Sequence, residues 1–190
     1  MTIIGILMRE EDNKYYVRKE LIDLLINKRC IPINIYNIES IKLCNGVIIP
    51  GGDNIIKKDL EIIKYLYLND IPTLGICLGM QEMGYLFNGK LSDISNYNHL
   101  KPNDKYVHDI RIIKNTKLYE ILKQDKIKVN SRHKDYLINT DLSISSISDV
   151  IESIEDKNKK FFIGVQWHPE SMMDDIYSNM IFDEFIKKSS

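Results

Sequence analysis

Pro72-Thr73-Leu74-Gly75-Ile76-Cys77, followed at once by Leu78-Gly79-Met80-Gln81, is the stretch that decides the fold. Apolar and β-branched residues after a proline read as a buried strand, and the run from Leu78 to about Phe87 reads as a helix that starts with no connecting loop. Cys77 stands at the junction, with a glycine two residues before it and another two after. So sharp a turn needs small flanks. It presents the side chain at the bend in the manner of a nucleophile elbow, with cysteine in place of serine. A thiolate there is favoured by the helix dipole and by free N–H groups. The five residues alone fit a core cysteine between two packing glycines equally well.

Upstream, the same alternation repeats. Thr2–Met8 reads as a buried strand, and Tyr15–Lys28 as an amphipathic helix with Val17, Leu21 and Leu24 or Leu25 inward. Ile31–Tyr36 is a second strand, and Gly46–Pro50 a third, stopped by Pro50-Gly51-Gly52. Asn54–Leu68 is helical, with Ile55, Ile62, Ile63 and Leu66 inward. Strands alternating with helices imply a parallel sheet covered on both faces, with right-handed crossovers. Downstream, Tyr106–Ile113, Ile127–Asn130, Leu142–Ser148 and Phe161–Gln166 read as strands with few helices between them, so an antiparallel extension is expected. Residues 92–105 read as a surface loop, and Asp174–Lys187 as a closing helix. No repeat or linker divides the chain, so residues 1–190 are expected to form one domain.

A net charge of −1 gives no global attraction to nucleic acid or anionic membrane. Three cysteines, an odd number, do not make a disulfide framework, and Cys30 and Cys44 read as small buried hydrophobes. Along the chain no Cys, His and carboxylate cluster has metal-ligand spacing, so neither metal nor cofactor is expected. His108 reads as a structural histidine, and Trp167 and Tyr97 as packing or pocket-wall residues. With no long apolar run at the start and none near the ~18 residues of a membrane span, a cytoplasmic protein is expected.

Two further segments complete a chemistry. In Gly164-Val165-Gln166-Trp167-His168-Pro169-Glu170 an apolar strand ends in His-Pro-Glu; residues two apart in an extended segment point the same way, so His168 and Glu170 can approach one site. A cysteine nucleophile needs a base, and the base needs a group to hold its ring. Pro50-Gly51-Gly52 lies where ligands meet a parallel sheet, and a backbone N–H there can meet a developing oxyanion.

Four segments, PGGD at 50–53, LGICLGMQ at 74–81, VNSRH at 129–133 and GVQWHPE at 164–170, resemble class I glutamine amidotransferases in motif, order and spacing. VNSRH is similar to the γ-glutamyl hydrolase branch, which includes γ-glutamyl-γ-aminobutyrate hydrolases. The resemblance implies a flavodoxin-like α/β sandwich with a mostly parallel sheet, an antiparallel extension and a nucleophile elbow. It implies Cys77 as the nucleophile that forms a γ-glutamyl thioester, His168 as the base and Glu170 as its orienter. The N–H groups of Gly52 and Leu78 would form the oxyanion hole. Gln81, Asn130, Ser131, Arg132 and His133 would hold the glutamyl group.

One departure stands out. Where the branch often reads NSxHHQ with an aromatic third residue, this chain has Asn130-Ser131-Arg132-His133-Lys134-Asp135. With only five arginines in the chain, Arg132 and Arg9 near the expected mouth, together with Lys134, suggest an anionic leaving group. One such group is the CDP-amidate of bacterial capsule phosphoramidate synthesis. The expected partner is thus a small γ-glutamyl substrate. A glutaminase subunit supplying ammonia to a synthase partner is the alternative, and a catalytically inactive binding module is the alternative of another class.

Overall fold

The computed structural model describes residues 1–93 and 99–190. The first half runs β1 (Ile3–Leu7), β2 (Arg9–Glu11), β3 (Lys14–Tyr16), α1 (Lys19–Asn27), β4 (Ile31–Ile35), α2 (Ile38–Ile41), β5 (Gly46–Ile49), α3 (Lys57–Leu68), β6 (Thr73–Ile76) and α4 (Leu78–Leu86). The second half runs β7 (Lys90–Asp93), β8 (His108–Ile112), α5 (Lys117–Leu122), β9 (Lys126–Val129), β10 (Asp135–Asn139), β11 (Ser143–Ile147), β12 (Ile151–Glu155), β13 (Phe162–Val165), a 3-10 turn (Pro169–Ser171) and α6 (Ile176–Lys188).

Nine of the described strands form one mixed sheet in the order β4-β1-β5-β6-β13-β12-β11-β8-β9. The first five are parallel, and β12, β11, β8 and β9 continue the sheet antiparallel. Alternating residues of the parallel strands feed two cores, as the two-residue period of a strand requires. Ile48, Leu74 and Ile76 pack with α1, α5 and α6, whereas Val47 and Ile49 pack with α2, α3 and α4. This is the doubly covered α/β architecture read from the sequence.

One expected helix starts late. Tyr15 and Tyr16 lie in a β2–β3 hairpin, and α1 begins at Lys19. The cause is Asp12-Asn13, both with positive φ (50° and 60°), the pair that closes a tight two-residue turn. Strands β7, β10 and β12 and helices α2 and α5 went unread in the sequence. β7 enters the expected loop 92–105 and pairs with β10 outside the main sheet.

Parallel register places the site. Ile49 pairs with Gly75, and Gly75 in turn with Gly164, so β5, β6 and β13 end side by side. Their carboxyl ends deliver Pro50-Gly51-Gly52, Cys77 and Gln166-Trp167-His168 to one edge, with Arg9 just beyond β1. The two chain ends meet at the opposite edge, where Thr2 Oγ1 and Ser190 Oγ lie 3.1 Å apart.

Glycines let α4 sit directly on this frame. A Cβ on Gly75 would lie 2.4 Å from Met83 Sδ, and one on Gly164 would lie 2.9 Å from Met80 Cβ. On α4 itself, a Cβ on Gly79 would lie 2.1 Å from the Ile49 carbonyl oxygen, a backbone atom that cannot rotate away. Gly79→Ala should therefore reach or exceed the upper end of the usual overpacking range, roughly 3 kcal/mol. The check is urea denaturation: a lowered midpoint at unchanged slope is expected, and a midpoint equal to the parent's would refute the close contact.

Candidate active site

Cys77 occupies the turn from β6 into α4 with φ 52° and ψ −106°, a strained backbone for a residue with a Cβ. It is held there by its own N–H, which donates to the Val165 carbonyl at 2.8 Å, and by its carbonyl, which accepts from Gln81 N–H at 3.1 Å. The Cys77 sulfur acts electrostatically on His168, whose Nδ1 pairs with Glu170 Oε1 at 2.7 Å. Cys77, His168 and Glu170 are all buried. Burial by itself would push the His168 pKa down; the Glu170 carboxylate and the Cys77 sulfur outweigh it and raise it to about 10. The Glu170 carboxylate therefore favours a proton on this ring. The link between His168 and Glu170 is not extended as expected. Pro169–Ser171 form a 3-10 turn, and that turn swings Glu170 back under the ring.

Two residues tie this group down. Asn130 Nδ2 donates to the His168 carbonyl and Asn130 Oδ1 accepts from His168 N–H, both at 2.8 Å. Gln166 was not singled out in the sequence. It is fully buried; its Nε2 donates to Cys77 Sγ at 3.6 Å, and its Oε1 accepts from Gln81 Nε2 at 3.1 Å. Its position two residues before His168, on the same face of the chain, was the available clue.

A small cavity of about 60 Å³ opens on Cys77, lined by Gly52, Asp53, Gln81, Arg132, His133, Lys134 and Asp135. Among the described residues neither the Gly52 nor the Leu78 N–H has a hydrogen-bond acceptor, so both amides remain available beside the thiol. Gln81 Nε2 also donates to the Asp135 carbonyl at 2.8 Å. Arg132 Nη1 donates to Ser171 Oγ at 3.0 Å, and its Nε is buried without a partner among the described residues. His133 donates from Nδ1 to the Asp135 carbonyl at 2.9 Å; burial lowers its pKa to about 4, so it stays neutral.

The family description Glutamine amidotransferase class-I matches residues 10–188. The chain belongs to the class I glutamine amidotransferase family. It is 28% identical to a glutamine amidotransferase-like protein of Rickettsia prowazekii, over 92% of this chain and 89% of that one. It is also 28% identical to the CTP synthase of Bacteroides fragilis, over 91% of this chain, but it spans only 39% of that protein. Solved structures share the fold. A GMP synthase subunit-like protein from Thermoplasma acidophilum superposes with a TM-score of 0.74 at 20% identity, over 100% of this chain and 94% of that one. The glutaminase domain of Trypanosoma brucei CTP synthase, solved with acivicin, gives 0.68 at 17% identity over 100% and 95%.

Within this amidotransferase frame three expected contacts need correction. Both amide groups of Asn130 are engaged by the His168 backbone, so it braces the histidine and does not face a ligand. Ser131 is fully buried and its hydroxyl meets His99 Nδ1 at 3.1 Å, away from the cavity. Arg9 is buried and unavailable to a leaving group. Its Nη1 donates to Asp59 Oδ2 at 2.6 Å, its Nη2 to Glu82 Oε2 at 2.8 Å, and Nε and Nη2 both donate to the Pro50 carbonyl. One cation cannot balance two buried carboxylates. Burial accordingly raises the pKa of Asp59, and that of Glu82 to about 7, against the opposing pull of Arg9. Arg9 thus holds the turn that carries Gly52.

The expectation of no metal-ligand cluster, drawn from spacing along the chain, does not hold in space. His99, His108 and Glu152 bring one donor atom each to within 4.8 Å of one another. Tyr97 lies outside the described residues, and Trp167 is core. Cys30 and Cys44 both pack against core clusters, and burial raises the Cys44 thiol to about 11. Among the described residues no helix is long and apolar enough to cross a membrane.

Removing Arg9 should strand two carboxylates. Arg9→Met is expected to cost about 3–5 kcal/mol of stability, as breaking a buried ion pair does. Chemical denaturation measures it, and a loss below about 1 kcal/mol, the range of surface pairs, would mean that the cluster is solvated.

Proposed function

We propose that the protein hydrolyses a γ-glutamyl amide through a thioester on Cys77. The observation that carries this reading is the buried Cys77–His168–Glu170 chain next to the unengaged amides of Gly52 and Leu78. Cys77 passes its thiol proton to His168 as Sγ attacks the amide carbonyl, and the oxygen takes the electron pair beside those two N–H groups. His168 then gives that proton to the leaving nitrogen as the C–N bond breaks. Water then attacks the thioester, gives a proton to His168, and the thiolate leaves with release of glutamate. Glu170 keeps the ring charged and oriented. Gln81 and Arg132, on the cavity wall, are suited to the polar end of the glutamyl group.

The finer assignment, to the γ-glutamyl hydrolase branch, is supported by the Val129-Asn130-Ser131-Arg132-His133 element. A leaving group that carries phosphate, such as CDP-amidate, keeps Arg132 and Lys134 as support and loses Arg9; Asp53 and Asp135 on the same wall offset those cations. The second reading, a glutaminase supplying ammonia to a synthase, is favoured by the CTP synthase relatives, whose length this chain only partly spans. Partner-dependent turnover of glutamine would select it.

Cys77→Ala should lower turnover on the order of 10³-fold or more. His168→Ala should come close to that, and Glu170→Gln should be milder, because a neutral amide can still orient the ring. Glutamate release from glutamine and from γ-glutamyl compounds measures all three. Comparable turnover by Cys77→Ala would end the proposed mechanism, and a greater loss at Glu170 than at His168 would reverse their roles.

Arg132 discriminates the substrate classes. A charge-assisted contact contributes roughly 1.5–3 kcal/mol, about ten- to a hundredfold in kcat/KM. Arg132→Ala should lower kcat/KM by that factor for a phosphate-bearing γ-glutamyl amide and much less for a neutral γ-glutamyl anilide. Equal losses would assign Arg132 to the glutamyl group, and no loss on either would remove it from the site.

A further inference from the structure

Behind the cavity wall lies a second group of polar side chains that the proposed chemistry does not use. His99, from the segment before β8, His108, at the start of β8, and Glu152, on β12, converge from three separate elements. Glu152 is 1% exposed in a sheet interior. Its Oε1 accepts from His108 Nε2 and from Ser148 Oγ, each at 2.7 Å, and lies 3.9 Å from His99 Nδ1. Its Oε2 is buried with no partner among the described residues. His99 Nε2 lies 2.8 Å from Asp149 Oδ1. Tilted against His99, with ring centroids 4.8 Å apart, is His133, whose Nε2 is likewise buried with no partner among the described residues.

We propose that His99 Nδ1, His108 Nε2 and Glu152 form a divalent metal site for zinc or a similar borderline ion. Two imidazoles and one carboxylate are donors that such ions take. A tetrahedral ion at about 2.0–2.2 Å from its ligands sets them roughly 3.3–3.6 Å apart. The three donors lie within 4.8 Å of one another, with the closest pair at 2.7 Å, so an ion requires that pair to open and the farther donors to close in. The surroundings match what ligands require behind them. Asp149 on His99 Nε2 makes a carboxylate–histidine pair that directs Nδ1 inward, where it would exchange the Ser131 hydroxyl for the ion. In His133, Nδ1–H on the Asp135 carbonyl fixes the tautomer and leaves an Nε2 lone pair. Water would complete the shell. A buried carboxylate with an unanswered oxygen is costly unless a cation meets it.

The ion would act on the amidotransferase cavity from behind. Lys101 N–H, two residues on from His99, donates to the Ser131 carbonyl at 3.0 Å, and Leu100 bridges Arg132. Clamping His99 to β12 therefore fixes the segment that backs Arg132 and His133.

The test uses the full chain carrying Cys77→Ala, which removes the thiolate as a competing ligand. The protein is stripped with chelator, dialysed against ZnCl2, and analysed for retained zinc and for its thermal midpoint. About one zinc per chain should be retained with a raised midpoint, since binding to the native state alone stabilises it. Glu152→Gln on the same background should lose both effects. Cobalt(II) in place of zinc should give visible absorption bands that Glu152→Gln abolishes. If Glu152→Gln does not fold, the partly exposed His108→Gln serves instead, and undiminished zinc retention by that variant overturns the proposal. So does failure of the folded Cys77→Ala protein to retain zinc or cobalt.

Discussion

The parallel pairing of β6 between β5 and β13 is the constraint on which the site depends. It aligns three carboxyl ends, and the middle one must turn into α4 without a loop. That turn forces Cys77 to a positive φ, and the fold tolerates the strain because the flanking glycines let α4 lie against the Ile49 carbonyl and the floor of β6 and β13. The thiol then emerges at a fixed point, between the Pro50-Gly51-Gly52 turn on one side and His168 on the other. A Cβ on Gly51 would come within 2.9 Å of His168 Cε1, so the turn and the base are in contact through a residue with no side chain.

What the sequence disclosed follows from this arrangement. Strands buried on both faces are continuous apolar runs, and the elbow and the His-Pro-Glu segment are local motifs, so both are readable from neighbouring residues. What misleads in the sequence are groups whose partners are distant along the chain. Arg9 reads as a cation at the site mouth because Asp59 and Glu82 lie 50 and 73 residues away. Asn130 reads as a ligand contact because the motif gives no sign that His168, 38 residues on, takes both ends of its amide.

Strand β12 shows a second kind of illegibility. Ile151-Glu152-Ser153-Ile154-Glu155 is mostly polar and lacks a two-residue apolar period, yet all five residues are buried. Its polar members are satisfied internally. Ser153 Oγ meets Ser145 and Ser146, Glu155 accepts from the N–H groups of Lys117 and Leu118 at the start of α5, and Glu152 engages His108. Polar residues paired in this way are indistinguishable, in sequence, from residues facing water.

The meeting of the two chain ends at Thr2 and Ser190 sets how the molecule can be joined to others. Both ends leave from the amino edge of the parallel strands, and the thiol faces out from the carboxyl edge. A tag, surface anchor or fusion partner attached at either end is thereby held on the side away from the cavity mouth. To reach that mouth it would need a linker long enough to pass around the sheet. The closeness of the ends also makes the chain a candidate for circular permutation, with new ends opened in an exposed turn such as Asp12-Asn13.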